Sequence, residues 1–139
     1  MRFLHLSDLH LGKRVCEFSM LDDQRYILEE ILSLLDTRPV DAVLLAGDLY
    51  DKPVPPAEAV RLLDWFLTEL ADRKLPVFAI SGNHDSAERV AFGAHLLAGS
   101  QVYVSPVFEG VPAPIPLTDA YGPVDIYLLP FLKPAMVRH

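Results

Sequence analysis

Apolar positions along the chain switch between two spacings. Arg2–Ser7 is a short apolar-rich run that stops at Asp8, as a buried strand does. Asp22–Asp36 instead repeats its apolar residues at about 100° per residue. Ile27, Leu28, Ile31, Leu32, Leu34 and Leu35 form one stripe, with Arg25, Glu29, Glu30, Ser33 and Asp36 opposite. Val40–Ala46 reads as a second buried strand, ended by Gly47. Pro55 and Pro56 open a helix that runs to about Arg73, proline being suited to a first turn. Pro76–Ser81 reads as a third strand. A third helix is predicted from Asp85 to about Leu97, where Asp85 and Glu88 stand in the places of a capping box. Gln101–Ser105 and Val124–Pro130 read as further strands. Pro106–Pro123 carries five prolines and predicts a loop or an edge.

The alternation of strand and helix predicts an α/β domain with a partly parallel sheet flanked by helices. In such a sheet the carboxyl ends of the strands share one edge, and ligand sites lie just outside it. Polar residues collect at those ends. Asp8 and His10 follow the first strand, Asp48 and Asp51 the second, and Asn83, His84 and Asp85 the third. Carboxylates mixed with imidazoles suit manganese, iron or zinc better than calcium. Gly47 permits a tight turn before Asp48, whose carboxylate could bridge two cations. Two cations about 3.5–4 Å apart can hold a phosphate, generate hydroxide and stabilise the leaving oxygen. Each pair alone is a weak signal. The ordered set D-x-H, G-D-x-x-D and G-N-H-D, each at a strand end, is a strong one.

The 139 residues are enough for one domain with a real core, and no repeat or second domain is visible. A formal charge of −7 argues against a broad basic surface that grips nucleic acid. It leaves open an acidic site whose local sign is reversed by bound cations. One cysteine, Cys16, forbids an intrachain disulfide and fits a reducing compartment. The polar residues of MRFLHLSDLH do not suit a signal peptide, and no window reads as a membrane span. The expectation is a soluble, cytoplasmic protein with no membrane partner.

Ser7-Asp8-Leu9-His10-Leu11-Gly12, Gly47-Asp48-Leu49-Tyr50-Asp51 and Gly82-Asn83-His84-Asp85 resemble the first three motifs of calcineurin-like metallophosphoesterases. The Met-Arg-Phe-Leu-His-Leu start and the late Leu-Pro-Phe-Leu-Lys-Pro segment are similar to the SbcD-type nucleases within that superfamily. Lys52 and Pro53 depart from the Arg-Gly of the protein phosphatases. The resemblance implies that Asp8 and His10 bind a first metal, that Asp48 bridges, and that Asn83 binds a second. It implies that His84 stabilises the transition state or protonates the leaving oxygen, and that Asp51 orients His84. It also implies two divalent cations, with manganese favoured, and DNA as substrate, cut by 3′-to-5′ exonuclease and hairpin-cleaving endonuclease action. An SbcC-type ATPase partner and a role in recombination and repair come with it.

The same family completes its site with further histidines, two of them in a G-H-x-H motif that this chain lacks. Residues 1–139 are therefore expected to form the N-terminal portion of the nuclease domain, half-liganded and turning over little. His5 is expected to pack within or beside the sheet, and His95 to lie on a helix surface. His139 is the last residue and does not suit a ligand. Asp85 is read as a helix cap, and Cys16 as a small loop or packing residue. Trp65 falls amid Glu58, Arg61, Thr68, Glu69 and Asp72 on the polar side of its helix. An exposed tryptophan there suggests a contact surface, and SbcD-type nucleases dimerise through helices in this region. Two other readings stay open. One is a small-molecule or cyclic-nucleotide phosphodiesterase on the same scaffold; the other is a non-catalytic dimerisation module.

Overall fold

The computed structural model describes residues 1–137, so His139 lies outside the described residues. In chain order the elements are β1 (Phe3–Leu6), a small hairpin of β2 (Arg14–Val15) and β3 (Phe18–Ser19), and α1 (Leu21–Thr37). Next come β4 (Ala42–Ala46), α2 (Ala57–Asp72), β5 (Val77–Ile80), α3 (Ala87–Val90) and α4 (Ala94–Leu97). After a 3-10 turn at Ala98–Ser100 follow β6 (Val102–Val104), β7 (Ile115–Asp119), β8 (Gly122–Ile126) and α5 (Pro134–Val137).

The main sheet has the order β1-β4-β5-β6, and every pairing in it is parallel. Side chains alternate across it, as the two-residue period of a strand requires. Leu4, Leu6, Val43, Leu45, Val77, Ala79, Val102 and Val104 point to one face and pack with the apolar sides of α1 and α2 and with Val90 and Leu97. Phe66 of α2 is fully buried there. Phe3, Ala42, Leu44, Phe78, Ile80 and Tyr103 point to the other face. There the β7–β8 hairpin covers them through Ile115, Leu117 and Ile126, joined by Leu128. Helices α1 to α4 thus lie on a single side of the sheet. None of them is long and apolar enough to cross a membrane, among the described residues.

Several elements differ from their expected form. The buried line of α1 is Leu28, Leu32 and Leu35, while Ile27 and Leu34 face solvent. A helix resting on a sheet buries a stripe narrower than its whole apolar side. The third helix is split in two at Gly93, whose φ of +74° no right-handed helix accommodates. Ser86, not Asp85, caps its first part by accepting from Arg89 N at 3.3 Å. The last strand shifts to Gly122–Ile126 and leaves the main sheet to pair with β7, inside the proline-rich stretch. Pro116 and Pro123 fit there because a two-stranded ribbon has two free edges. Cys16 occupies the turn of the β2–β3 hairpin and is exposed. His5 lies in β1 with its side chain exposed rather than packed. His95 is exposed on α4, as expected.

Trp65 is not exposed on the polar side of its helix. It is half-buried against the core, and the Arg25 guanidinium lies 4.2 Å over its ring. α1 supplies that cover, with a cation–π contact in place of solvent. Arg73 also joins the two helices, bonding Asp36 at 2.8 Å and Glu69 at 2.8 Å.

The hairpin is tied to β1 by the Met1 ammonium, which donates to Asp119 at 2.6 Å. That bond holds the Asp119 carboxyl below its usual 3.8. It raises the amino group above its usual 8.0. The tie should persist between those limits. It is lost as pH falls through the lowered carboxyl value, and again as pH rises through the raised amino value. Amide protection across Ile115–Ile126, corrected for the intrinsic exchange rate at each pH, should therefore fall at both extremes, and Asp119→Asn should abolish both losses.

Candidate metal centre at the carboxyl edge of the sheet

Three loops leave β1, β4 and β5 at one edge and are stitched together by backbone hydrogen bonds. Asp8 N donates to Gly47 O at 3.1 Å, His10 N to Asp48 O at 2.9 Å, and Leu11 N to Leu49 O at 2.9 Å. Asp51 N returns to Leu11 O at 3.2 Å. The first two loops therefore prolong the parallel pairing of β1 and β4 past the sheet proper, with a bridge from Leu11 to Tyr50. The third loop joins through side chains. His84 N donates to Asp48 Oδ1 at 2.8 Å. The Asp85 carboxylate accepts from Leu49 N at 3.0 Å, Tyr50 N at 2.9 Å and Gly82 N at 2.8 Å.

Asp85 is thus the bolt between the second and third loops, not a helix cap. Its adjacency to His84 was visible in the sequence. Its three acceptor contacts, two of them more than thirty residues away, were not. Gly82 is required by the same junction. A Cβ on it would overlap Asp48 Oδ1 and the Asp48 backbone nitrogen, and would stand 2.7 Å from Asp48 Cγ.

The side chains converge on His10. Its Nε2 lies 3.8 Å from Asp8 Oδ1 and 3.9 Å from Asp48 Oδ2, and its Nδ1 lies 3.6 Å from Asp51 Oδ1. All three separations are too long for hydrogen bonds. Nδ1 is buried and has no hydrogen-bond partner. The His84 ring stands edge-on to His10 with centroids 4.8 Å apart. Ligand atoms of His10, Asp48 and His84 all lie within 4.8 Å of one another.

Two atoms that each sit about 2.1 Å from one ion can be at most about 4.2 Å apart. The separations from His10 Nε2 to Asp8 and Asp48 satisfy that limit. They leave a gap that no hydrogen bond closes and a cation would. The wider set that includes His84 is looser than one ion demands. Asp8, Asp48 and Asp51 also bring three carboxylates around a single imidazole, an arrangement that a bound cation compensates. The residues present fit a divalent metal.

Asp8, His10 and Asp48 have φ values of +57°, +43° and +50°. Non-glycine residues rarely adopt this left-handed region, and such strain gathers at functional sites. Asn83 is exposed and lines a cavity of about 290 Å³ together with Asp8 and Asp48. Leu129, Pro130 and Phe131 form another part of its lining, fixed where Phe131 N donates to Ser81 O at 2.9 Å. Burial, and secondarily Asp85, push the Tyr50 hydroxyl up to about 12, so it keeps its proton.

Asp51 is placed differently from its expected contact. Its carboxylate lies beside His10, while His84 Nδ1 faces the Asp51 backbone carbonyl at 3.2 Å. The main chain at position 51, rather than the acid, is what touches His84.

Comparison with known proteins agrees with this geometry. Residues 1–131 match the calcineurin-like phosphoesterase family. The whole chain is 34% identical, over 140 aligned positions, to the SbcD component of the nuclease SbcCD from Staphylococcus epidermidis. It spans 36% of that relative's length. With the family matched over residues 1–131 and the side chains of three strand-end loops brought to one sheet edge, the protein belongs to the calcineurin-like phosphoesterase family.

Proposed function

We propose that the chain forms the N-terminal part of a metal-dependent DNA nuclease of the SbcD type, with Asp8, His10, Asp48 and Asn83 as metal ligands. The observation that carries this reading is the crowding of Asp8, Asp48 and Asp51 around His10 at distances that suit a cation better than hydrogen bonds. Kinship with the staphylococcal nuclease component supports the choice of DNA over a small phosphodiester. Two manganese ions are the proposed cofactors, suited by the mixed carboxylate and imidazole donors. Such ions activate water and neutralise charge on phosphate. The chain's own residues do the rest. Asp48, the most buried of the acids at the site, would help to hold the ions. His84 is held by its backbone bond to Asp48 at 2.8 Å and directs its ring toward the site, where it stabilises the leaving oxygen. Asp51 orients His84 through its main-chain carbonyl.

In the whole protein the activity is 3′-to-5′ exonuclease and hairpin-cleaving endonuclease action on double-stranded DNA. It acts in the cytoplasm in recombination and repair, with an SbcC-type ATPase. A homodimer through the helices near Trp65 is part of the proposal. Trp65 itself is covered, so its support is the neighbouring apolar groove of about 300 Å³ between α2 and α3–α4, flanked by the exposed Phe92, Leu96 and Val60.

Manganese-dependent cleavage tests the reading. The full-length protein should degrade linear duplex DNA with manganese and stop when the metal is chelated. Residues 1–139 alone should hydrolyse a simple phosphodiester slowly or not at all. Equal cleavage with and without manganese would overturn the metal assignment. Full activity of the isolated chain would overturn the half-site assignment.

A further inference from the structure

Gln24 lies on the first turns of α1, outside all three motifs, yet its side chain reaches into the first loop. Its Nε2 donates to His10 O at 2.8 Å and to Leu9 O at 3.1 Å. Its Oε1 accepts from Gly12 N at 3.0 Å. Both donors and the acceptor of one amide are therefore spent on three residues of one short segment, Leu9, His10 and Gly12. The segment it grips is unusual. Asp8 and His10 have left-handed φ values, and Gly12 reaches +87°. Such a backbone relaxes unless its surroundings over-determine it.

We propose that Gln24 is a positioning residue for the metal site, holding the His10 backbone in the conformation that points the imidazole at Asp8 and Asp48. The main chain of His10 is fixed from two sides. Its N–H bonds Asp48 O at 2.9 Å, and its carbonyl accepts from Gln24 Nε2 at 2.8 Å and from Lys13 N, within the same loop, at 3.0 Å. Without Gln24 the carbonyl keeps only the bond from Lys13, which belongs to the same loop and turns with it, so the residue can still pivot about its N–H contact. With Gln24 in place, the Cα–Cβ direction is set, and Nε2 comes within 3.9 Å of both carboxylates. A metal-ligating histidine is ordinarily oriented by a bond to its other ring nitrogen. Here His10 Nδ1 has no hydrogen bond, so its orientation depends on the main chain that Gln24 holds. The inference rests on the proposed metal site and names a residue that sets its affinity.

The test uses the same 139-residue chain with Gln24→Met, which keeps the length and helix preference of the side chain but removes all three hydrogen bonds. Manganese affinity, melting temperature and amide exchange at Gly12 are measured together. Expected are a roughly 10- to 100-fold weaker affinity, the range for loss of a group that orients a ligand, and faster exchange at Gly12. A melting temperature lowered at unchanged manganese affinity would reduce Gln24 to a stabiliser of α1 and overturn the inference. A wild-type chain that does not respond to manganese would overturn the metal reading instead. Gly12 exchange in the metal-free variant then decides the loop clamp alone: faster exchange supports it, and unchanged exchange overturns it.

Discussion

Asp85→Ala is expected to lower the unfolding free energy by about 4 kcal/mol, more than any other single change at the sheet edge. Three backbone N–H groups, on Leu49, Tyr50 and Gly82, donate to this one carboxylate. Hydrogen bonds to a charged group contribute roughly 1.5–3 kcal/mol each, and they add less than fully when they share one acceptor. Leu49 and Tyr50 are buried, so their freed amides cannot all turn to water. Asp85→Asn keeps one acceptor oxygen and should cost about half as much. Urea titration of the three proteins measures the order directly. An Asp85→Ala protein as stable as wild type would show that the loops are held by something else.

Gly82→Ala should act less on stability and far more on the metal. The added methyl group would occupy the space of the Asp48 carboxylate, which stands against Gly82 with its Cγ 2.7 Å from the ideal Cβ position. Asp48 must then move, its backbone nitrogen as well as its carboxylate, since the new methyl group overlaps both. It loses the bond from His84 N and its place 3.9 Å from His10 Nε2. Manganese affinity is expected to fall about 100-fold, the upper end of what displacing a ligand's support produces. The cost in stability is about 3 kcal/mol, the upper end for overpacked sites, because a backbone atom has to shift as well. Gly93→Ala is the matching control. Its added Cβ meets nothing within 4 Å, so it adds backbone strain at Gly93 but leaves the metal affinity unchanged. Equal manganese affinity in the Gly82→Ala protein would mean that Asp48 is not a ligand.

The strands and the meeting of the three motifs are legible in the sequence because both follow from short-range patterns. A run of Val, Leu and Ala that stops at Gly47-Asp48 announces a buried strand and its polar end together. The rest depends on partners remote in sequence. Trp65 reads as exposed on a helical wheel, since the wheel cannot show that Arg25 of another helix lies over the ring. Asp85 looks like a cap because capping is a local rule, whereas its real partners at 49 and 50 become neighbours only once β4 and β5 pair. Asp51 is expected to touch His84 with its acid, and it is the main-chain carbonyl that does so. The β2–β3 and β7–β8 hairpins escape a reading of the pattern because short strands with charged, proline or turn residues lack the alternation that marks longer ones. Gln24 carries no local signal at all.

Manganese is paramagnetic and broadens amide signals near it even when it binds weakly, so a nitrogen–proton NMR titration of this chain reaches the central point most directly. Signals from residues 8–12, 47–51 and 82–85 should fade together at the lowest metal additions, ahead of those of α1 and the β7–β8 hairpin. His10→Ala should remove that selectivity. Fading that begins elsewhere, or that survives in the His10→Ala protein, would contradict a single metal centre built by these three loops.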